Sequence, residues 1–205
     1  AEDESVGTSV ITVTASDGDG SAPNNEVEFS FVGDAGAFAI DAGSGSISIN
    51  TPLDRESVDF YNLTVRASDG GVPALSDEVN VLITVLDAND NAPVFAPGTP
   101  TSLDVYESDV IGLVLATFSA TDADLGNNSR VRYSLTPTSP LFSMGESDGV
   151  LSLSSTLDRE TAETHTLTVR AEDMGSVPEF TDISVTVTVL DVNDNAPVFQ
   201  GTPYS

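Results

Sequence analysis

Two short acidic runs hold most of the chemistry this sequence can do. Asp87-Ala88-Asn89-Asp90-Asn91 and Asp191-Val192-Asn193-Asp194-Asn195 each crowd carboxylate and amide oxygens into five residues. Further acids stand as Asp54-Arg55-Glu56 and Asp158-Arg159-Glu160, as Asp17-Gly18-Asp19 and Asp122-Ala123-Asp124, and singly as Asp69 and Asp173. These oxygens are hard ligands. Calcium takes about 6 to 8 of them in flexible geometry, whereas magnesium demands a near-ideal octahedron and keeps its water, so acids drawn from several distant segments favour calcium. The chain has no cysteine and a single histidine, His165, which leaves softer metals without donors and removes disulfides and cysteine nucleophiles. Any one Asp-x-Asp or Asp-Asn run by itself would more often be a turn, because such side chains cap backbone amides, and an isolated Asp-Arg-Glu would be a surface ion pair worth about 0 to 1 kcal/mol. Recurrence of every motif in the same order weighs against that reading.

The charge balance agrees with a cation as partner. Of 205 residues 33 are acidic and only six basic, all Arg, for a net charge of -27. That excess excludes nucleic acid and anionic membrane surfaces as partners. With 39% hydrophobic residues and dense Val, Ile and Leu alternation, the chain is expected to fold rather than stay disordered. It contains no apolar run long enough to span a bilayer, a feature that would need about 18 residues.

The elements that must position these acids repeat as well. Val85 to Phe95 recurs as Val189 to Phe199 with one change, Ala88 to Val192; Leu53 to Glu56 recurs as Leu157 to Glu160, and Glu2 matches Glu107. A period of about 100 residues is the size of an independently folding domain. Within each copy the apolar residues alternate with period two, as in half-buried strands. The expected inward sets are Ile11, Val13 and Ala15 with Ala116, Phe118 and Ala120; Leu63, Val65 and Ala67 with Leu167, Val169 and Ala171; and Val79, Val81, Ile83 and Val85 with Ile183, Val185, Val187 and Val189. Further strands are expected near Val27 to Phe31, Phe38 to Ile40 and Ser46 to Ile49. Short strands, frequent turn signals and no helical period predict an all-β fold of antiparallel sandwiches with Greek-key connections. His165 stands where the other copy has Tyr61, which predicts packing on a strand face rather than ligation.

Taken in order, these motifs resemble the extracellular repeats of cadherins, and the resemblance covers the whole chain. It implies two tandem seven-stranded, immunoglobulin-like sandwiches: residues 1–91, with a truncated first strand, and residues 92–195. Residues 196–205 would begin a further repeat, and a preceding repeat is expected too. By the same resemblance Glu2, Asp54, Glu56, Asp87, Asn89, Asp90, Asp122, Asp124 and Asp173, with backbone carbonyls of Ala88, Asn91 and Asn128, would surround about three calcium ions at the junction of the repeats. Glu107, Asp158, Glu160, Asp191, Val192, Asn193, Asp194 and Asn195 would form a C-terminal half-site, and Asp17, Asp19, Asn24 and Asp69 an N-terminal one. Charge arithmetic supports a cationic filling: eight of the central residues are carboxylates, which would repel one another unless divalent cations lay among them.

The function so implied is that of a calcium-dependent adhesion or tethering ectodomain segment. It would be extracellular, stiffened by calcium between repeats, and would meet other cadherin-like chains in cis or trans. The alternative is a calcium-binding structural or carbohydrate-binding sandwich of a surface protein. Enzymatic use of paired carboxylates would need a cleft, in glycosidases commonly walled by aromatics, and the chain has no Trp. Strand exchange by this fragment through an N-terminal tryptophan is not expected, on the same ground. Asn62-Leu63-Thr64 and Asn127-Asn128-Ser129 fit the glycan acceptor pattern; Asn62 is expected to face outward, and Asn127 to crowd the acidic loop.

Overall fold

A computed structural model describes residues 1–201, and among these residues there are strands and no helix. Two compact units are present, Ala1–Ala88 and the residues from Asn89 onward, each with its own hydrophobic core. Of the segment read as the start of a further repeat, residues 202–205 lie outside the described residues.

In the first unit β1 (Ser9–Thr12), β3 (Phe38–Ile40) and β4 (Ser46–Ile49) form one sheet in the order β1-β4-β3. The other sheet is β2-β5-β6, from β2 (Glu28–Val32), β5 (Phe60–Ser68) and β6 (Ser76–Thr84). Every pairing here is antiparallel. Phe29, Phe38, Ile47, Ile49, Leu63, Val65 and Ile83 close the space between the sheets. Each lies on the inward side of its strand, as period-two side-chain alternation requires.

The second unit has the same plan with more strands. Its sheets are β12 (Phe142–Met144), β13 (Val150–Leu153) and β9 (Val114–Thr117), and β11 (Arg132–Leu135), β14 (Thr164–Glu172), β15 (Phe180–Leu190) and β8 (Ser102–Tyr106). A short ladder joins β7 (Val94–Phe95) to β10 (Ala120–Thr121). Because β7 with β8, and β9 with β10, are interrupted stretches of single extended paths, the unit has the seven paths expected. The pairing of β8 with β15 is parallel, a departure from a wholly antiparallel sandwich.

Seven strands are not found in the first unit, which has six. The register that aligns Glu2 with Glu107 places all but the last residue of β8's counterpart before Ala1. Two residues assigned inward accordingly prove open to solvent: Ile11 is 47% exposed and Val79 55%. Ala15 is exposed as well. Their counterparts Ala116, Ile183 and Ala120 are half-buried, because they pack against a core to which Phe95 and Leu103 also contribute. The remaining inward assignments hold, most fully at Val169, Val185 and Val187.

The β3–β4 and β12–β13 hairpins share a device. Gly45 and Gly149 have φ of 69° and 64°, and a Cβ there would lie 2.4 Å from the Val13 carbonyl oxygen and 2.2 Å from that of Phe118. Only glycine satisfies both the left-handed backbone and the close approach. His165 meets Phe142 edge-on at 5.6 Å between centroids, as Tyr61 meets Phe38 at 5.0 Å, so the lone histidine packs where the other unit has tyrosine.

Leu151 is wholly buried. Leu151→Ala is expected to lower the stability of the second unit by about 2–5 kcal/mol through lost burial and the cavity left behind. Val79→Ala should cost less than about 1 kcal/mol. Urea unfolding followed by circular dichroism compares the two, and equal losses would contradict this assignment of the cores.

Candidate metal centre

At one end of each sandwich a glutamate is buried and held by three backbone bonds. In the first unit the Glu2 carboxylate accepts the N–H of Arg55 at 2.5 Å and that of Ala88 at 2.9 Å, while Glu2 N–H donates to the Leu86 carbonyl at 3.0 Å. In the second unit Glu107 accepts the N–H of Arg159 at 2.8 Å and of Val192 at 2.7 Å, and donates to Leu190 at 3.3 Å. One carboxylate thus ties three segments: its own, the mid-repeat acidic turn, and the start of the acidic run after the last strand. A carboxylate that accepts two backbone N–H groups is fixed in place by them.

The mid-repeat acids are set by a turn. Asp54 accepts the Ser57 N–H and hydroxyl at 3.0 and 2.9 Å, and Asp158 accepts those of Thr161 at 3.2 and 2.8 Å. The Thr161 hydroxyl, with backbone N–H groups behind it, holds the Asp158 carboxyl below the usual carboxylate range. Carboxylate oxygens of Glu2, Asp54 and Glu56 lie within 4.8 Å of one another, and so do those of Glu107, Glu160 and Asp191. At such separations each pair repels by about 1 kcal/mol in water and about 3 kcal/mol at an effective dielectric of 20. Arg55 offsets part of this in the first unit, with Nε 2.8 Å from Asp87 and its guanidinium against Glu56. Arg159 reaches Glu163 at 3.0 Å and lies 3.8 Å from Asp191.

At the other end of each sandwich the Asp-x-Asp and lone Asp loops are also built alike. Asp122 accepts the Asp124 N–H at 2.9 Å, as Asp17 accepts that of Asp19 at 2.8 Å. Asp173 accepts the N–H groups of Gly175 and Glu179, each at 2.7 Å; Asp69 accepts those of Gly71 and Leu75 at 2.9 and 3.0 Å. Met174 N–H donates to the Asn127 carbonyl at 3.1 Å, and Gly70 N–H to that of Pro23 at the same distance. The carbonyl committed to closing the loop is therefore the one before Asn128 or Asn24.

In the second unit the acidic run lies against these loops. Asn91 Nδ2 donates to Asp124 at 2.8 Å, and Asn89 Nδ2 to Asp173 at 3.1 Å and to the Val177 carbonyl at 2.7 Å. Asp124 and Asp173 are both buried. The Asn89 carbonyl oxygen, Oδ1, is buried with no hydrogen-bond partner. An orphaned acceptor among carboxylates is costly in water-free surroundings and fits a hard cation, as does a donor set made wholly of oxygen. Asp90 and Asp194 each accept the side-chain amide of the asparagine that follows, at 2.8 and 2.7 Å. Residues Val192 to Asn195 carry the second copy of the run, in which Asn193, Asp194 and Asn195 are exposed.

Gly175 and Val177 were not among the residues singled out by sequence. A Cβ at Gly175 would lie 2.7–2.9 Å from three atoms of the Asn89 side chain, so this glycine makes the space in which Asn89 sits. The signal available was the shared glycine at Gly71 and Gly175 two residues after each lone Asp. Gly175→Ala is expected to displace Asn89 while leaving the sandwich intact. The Asn89 side-chain amide signals should shift in a heteronuclear spectrum, with β12 and β13 unchanged; an unmoved Asn89 would contradict the packing described. Glu107→Gln places an amide donor against one of two backbone donors and should cost about 1–3 kcal/mol in unfolding free energy.

Comparison with known proteins agrees with this geometry. The family model of the cadherin domain matches residues 1–86 and 101–190. Human Protocadherin Fat 1 is 41% identical over 209 residues, covering 100% of this chain and 4% of that protein. Mouse Cadherin EGF LAG seven-pass G-type receptor 2 is 41% identical over 210 residues, covering 100% of this chain and 7% of that protein. The chain thus spans a small fraction of the curated relatives it matches. Among solved structures, mouse Cadherin-23 EC22-24 has a TM-score of 0.86 at 33% identity, covering 94% of this chain and 62% of that one. Protocadherin Gamma B2 extracellular cadherin domains 3-6 gives 0.81 at 32% identity, covering 98% and 49%. With two matched domains, two sandwiches of the same plan and relatives alike over its whole length, the chain belongs to the cadherin family as a pair of tandem, non-enzymatic cadherin repeats.

Proposed function

We propose that this chain is a calcium-binding segment of an extracellular adhesion or tethering protein, in which calcium fixes one repeat to the next. The observation that carries the reading is the pair of carboxylate clusters, Glu2 with Asp54 and Glu56 and Glu107 with Glu160 and Asp191, each gathered within 4.8 Å and sharing the corresponding residues Glu2 and Glu107, Glu56 and Glu160. Neither cluster is needed for the cores, which are apolar and separate. Repulsion built in twice at corresponding places is explained by a cation.

The ligands proposed for the central ions, about three in number, are Glu2, Asp54, Glu56, Asp87, Asn89, Asp90, Asp122, Asp124 and Asp173, with the carbonyls of Ala88, Asn91 and Asn128. Glu107, Asp158, Glu160, Asp191 and Asp194, with the remaining residues of the 191–195 run, form a partial set, and Asp17, Asp19, Asn24 and Asp69 another. Bound calcium would supply the positive charge that these oxygens lack, and the chain's own part is to hold the oxygens in place before any ion arrives. Glu2 and Glu107 do so through backbone N–H groups, Asp173 through its turn, and Asn89 by turning its amide N–H inward and keeping Oδ1 for the ion. The repeats are taken as residues 1–91 and 92–195, with residues 87–91 and 191–195 as linkers. Partners are other cadherin-like chains. One structural neighbour, Protocadherin gammaB7 EC3-6, is described as a cis-dimer.

Asp90 tests the reading, since the family resemblance makes it a ligand shared by two ions. Charge counting alone predicts that Asp90→Ala relieves repulsion in a chain of charge -27. Ligand loss predicts the opposite once calcium is present, because both ions are left under-coordinated. The variant is expected to keep its β-sheet circular dichroism, to need more calcium in a calorimetric titration than Asp54→Ala, and to gain less thermal stability from calcium than the parent chain. Small-angle scattering should show the parent extending on calcium addition and the variant lagging. Equal affinity and equal extension in the two would remove the proposal and leave the linker acids as solvated turns.

A further inference from the structure

The outer face of β5 and β6 carries a motif that the calcium reading leaves unused. Asn62-Leu63-Thr64 fits the acceptor pattern for an N-linked glycan. Asn62 lies within β5 and is exposed, while Leu63 beside it is buried in the core. Such a three-residue pattern is short and occurs often by accident, so its surroundings decide what it is worth. Phe60 stands two residues earlier, 47% exposed, and Leu82 stands directly opposite Asn62 in the ladder, 65% exposed. Side chains two apart on a strand share a face, and diagonal neighbours across a ladder are within reach of long side chains. The acceptor asparagine is thus flanked on two sides by uncovered apolar surface.

The second unit has the same face without the motif. The residues corresponding to Phe60, Asn62 and Leu82 are Thr164, Thr166 and Thr186. All three are exposed, with β8 in place beside β15. This part of the outer face is therefore open in both units, and it is apolar in the one that carries the acceptor.

We infer that Asn62 bears an N-linked glycan whose first N-acetylglucosamine lies over Phe60 and Leu82. In the attachment step the amide nitrogen of Asn62 bonds to C1 of the sugar as the C1–O bond to a lipid-linked diphosphate donor breaks. The diphosphate leaves with the bonding pair, and the amide gives up one proton. A pyranose ring presents a face of C–H groups while its hydroxyls point to water, so it covers an aromatic ring and a leucine without stranding polar atoms. The gain is the burial of apolar surface that the unmodified unit exposes. The donor is met along the secretory route, so the inference rests on the extracellular part of the proposed function; it does not depend on calcium.

The test uses the full 205-residue chain directed through the secretory route of animal cells. Peptide mass mapping should find Asn62 glycosylated, and Asn62→Gln should remove that glycan. Trimming with an endoglycosidase to a single N-acetylglucosamine isolates the first sugar. Hydrogen exchange in β5 and β6 should then be slower than in Asn62→Gln by about fivefold or more, with β14 and β15 unchanged as the internal comparison. Phe60→Thr and Leu82→Thr each install the residue that the second unit has at the same place, so the fold should persist. Each should keep the glycan and lose most of the difference in exchange. An unmodified Asn62 overturns the inference. So does a trimmed glycan that leaves exchange as it is in Asn62→Gln, or protection that survives both threonine substitutions. Calcium titration of Asn62→Gln reads the metal proposal by itself and should match the parent chain, so the two readings fail separately.

Discussion

A buried carboxylate that accepts two backbone N–H groups is the constraint on which each repeat's acidic end depends. Glu2 and Glu107 lie some fifty residues from Arg55 and Arg159 and more than eighty from Ala88 and Val192, yet each bonds both of its partners. The start of the sandwich, its mid-repeat turn and the run after its last strand are therefore clamped at one point. The acids carried by those three segments, Asp54, Glu56, Asp158, Glu160 and Asp191, are brought together as a consequence. Their mutual repulsion is opposed by the backbone bonds that hold the clamp and by the apolar cores behind it.

Electrostatics and packing are divided between the ends and the middle of each unit. The cores contain no charge, and the cross-strand pairs Arg66–Glu78 and Arg170–Asp182 lie on outer faces of β5–β6 and β14–β15, at 2.7 and 2.8 Å. Arg170 also stands 3.6 Å over the Phe180 ring. Exposed pairs of this kind add little to stability. The fold is held by Phe, Leu, Ile and Val between the sheets, and this frees the acidic ends to be organised for a cation instead of for folding.

Comparison of the two units shows which features recur in both. Equivalent hairpins, equivalent acidic turns and equivalent glutamate clamps appear in both. Counterparts of β7 and β8 are not among the described residues of the first unit, and Val79, Ile11 and Ala15 are exposed where their counterparts are partly covered.

The sequence by itself determined the repeat, the strand faces and the ligand types. Period two along β5, β14 and β15 assigns Leu63, Val65, Val169, Val185 and Val187 to the interior, because alternation follows from the pleat and needs no knowledge of neighbours. The recurrence of five acidic motifs in order marked the ends of the repeats as sites. Only the tertiary structure decided which inward faces are covered, since alternation separates two sides of a strand and is silent about what lies beyond them; Ile11 and Val79 pair with the buried Ile47 and Val65 and yet are open to solvent. It also decided that Asn89 faces Asp173 and the Val177 carbonyl across the space left at Gly175, and that Glu107 bonds the amides of Arg159 and Val192. Those contacts join residues 52 to 88 positions apart, and a backbone N–H carries no mark in the sequence to show which distant carboxylate will accept it.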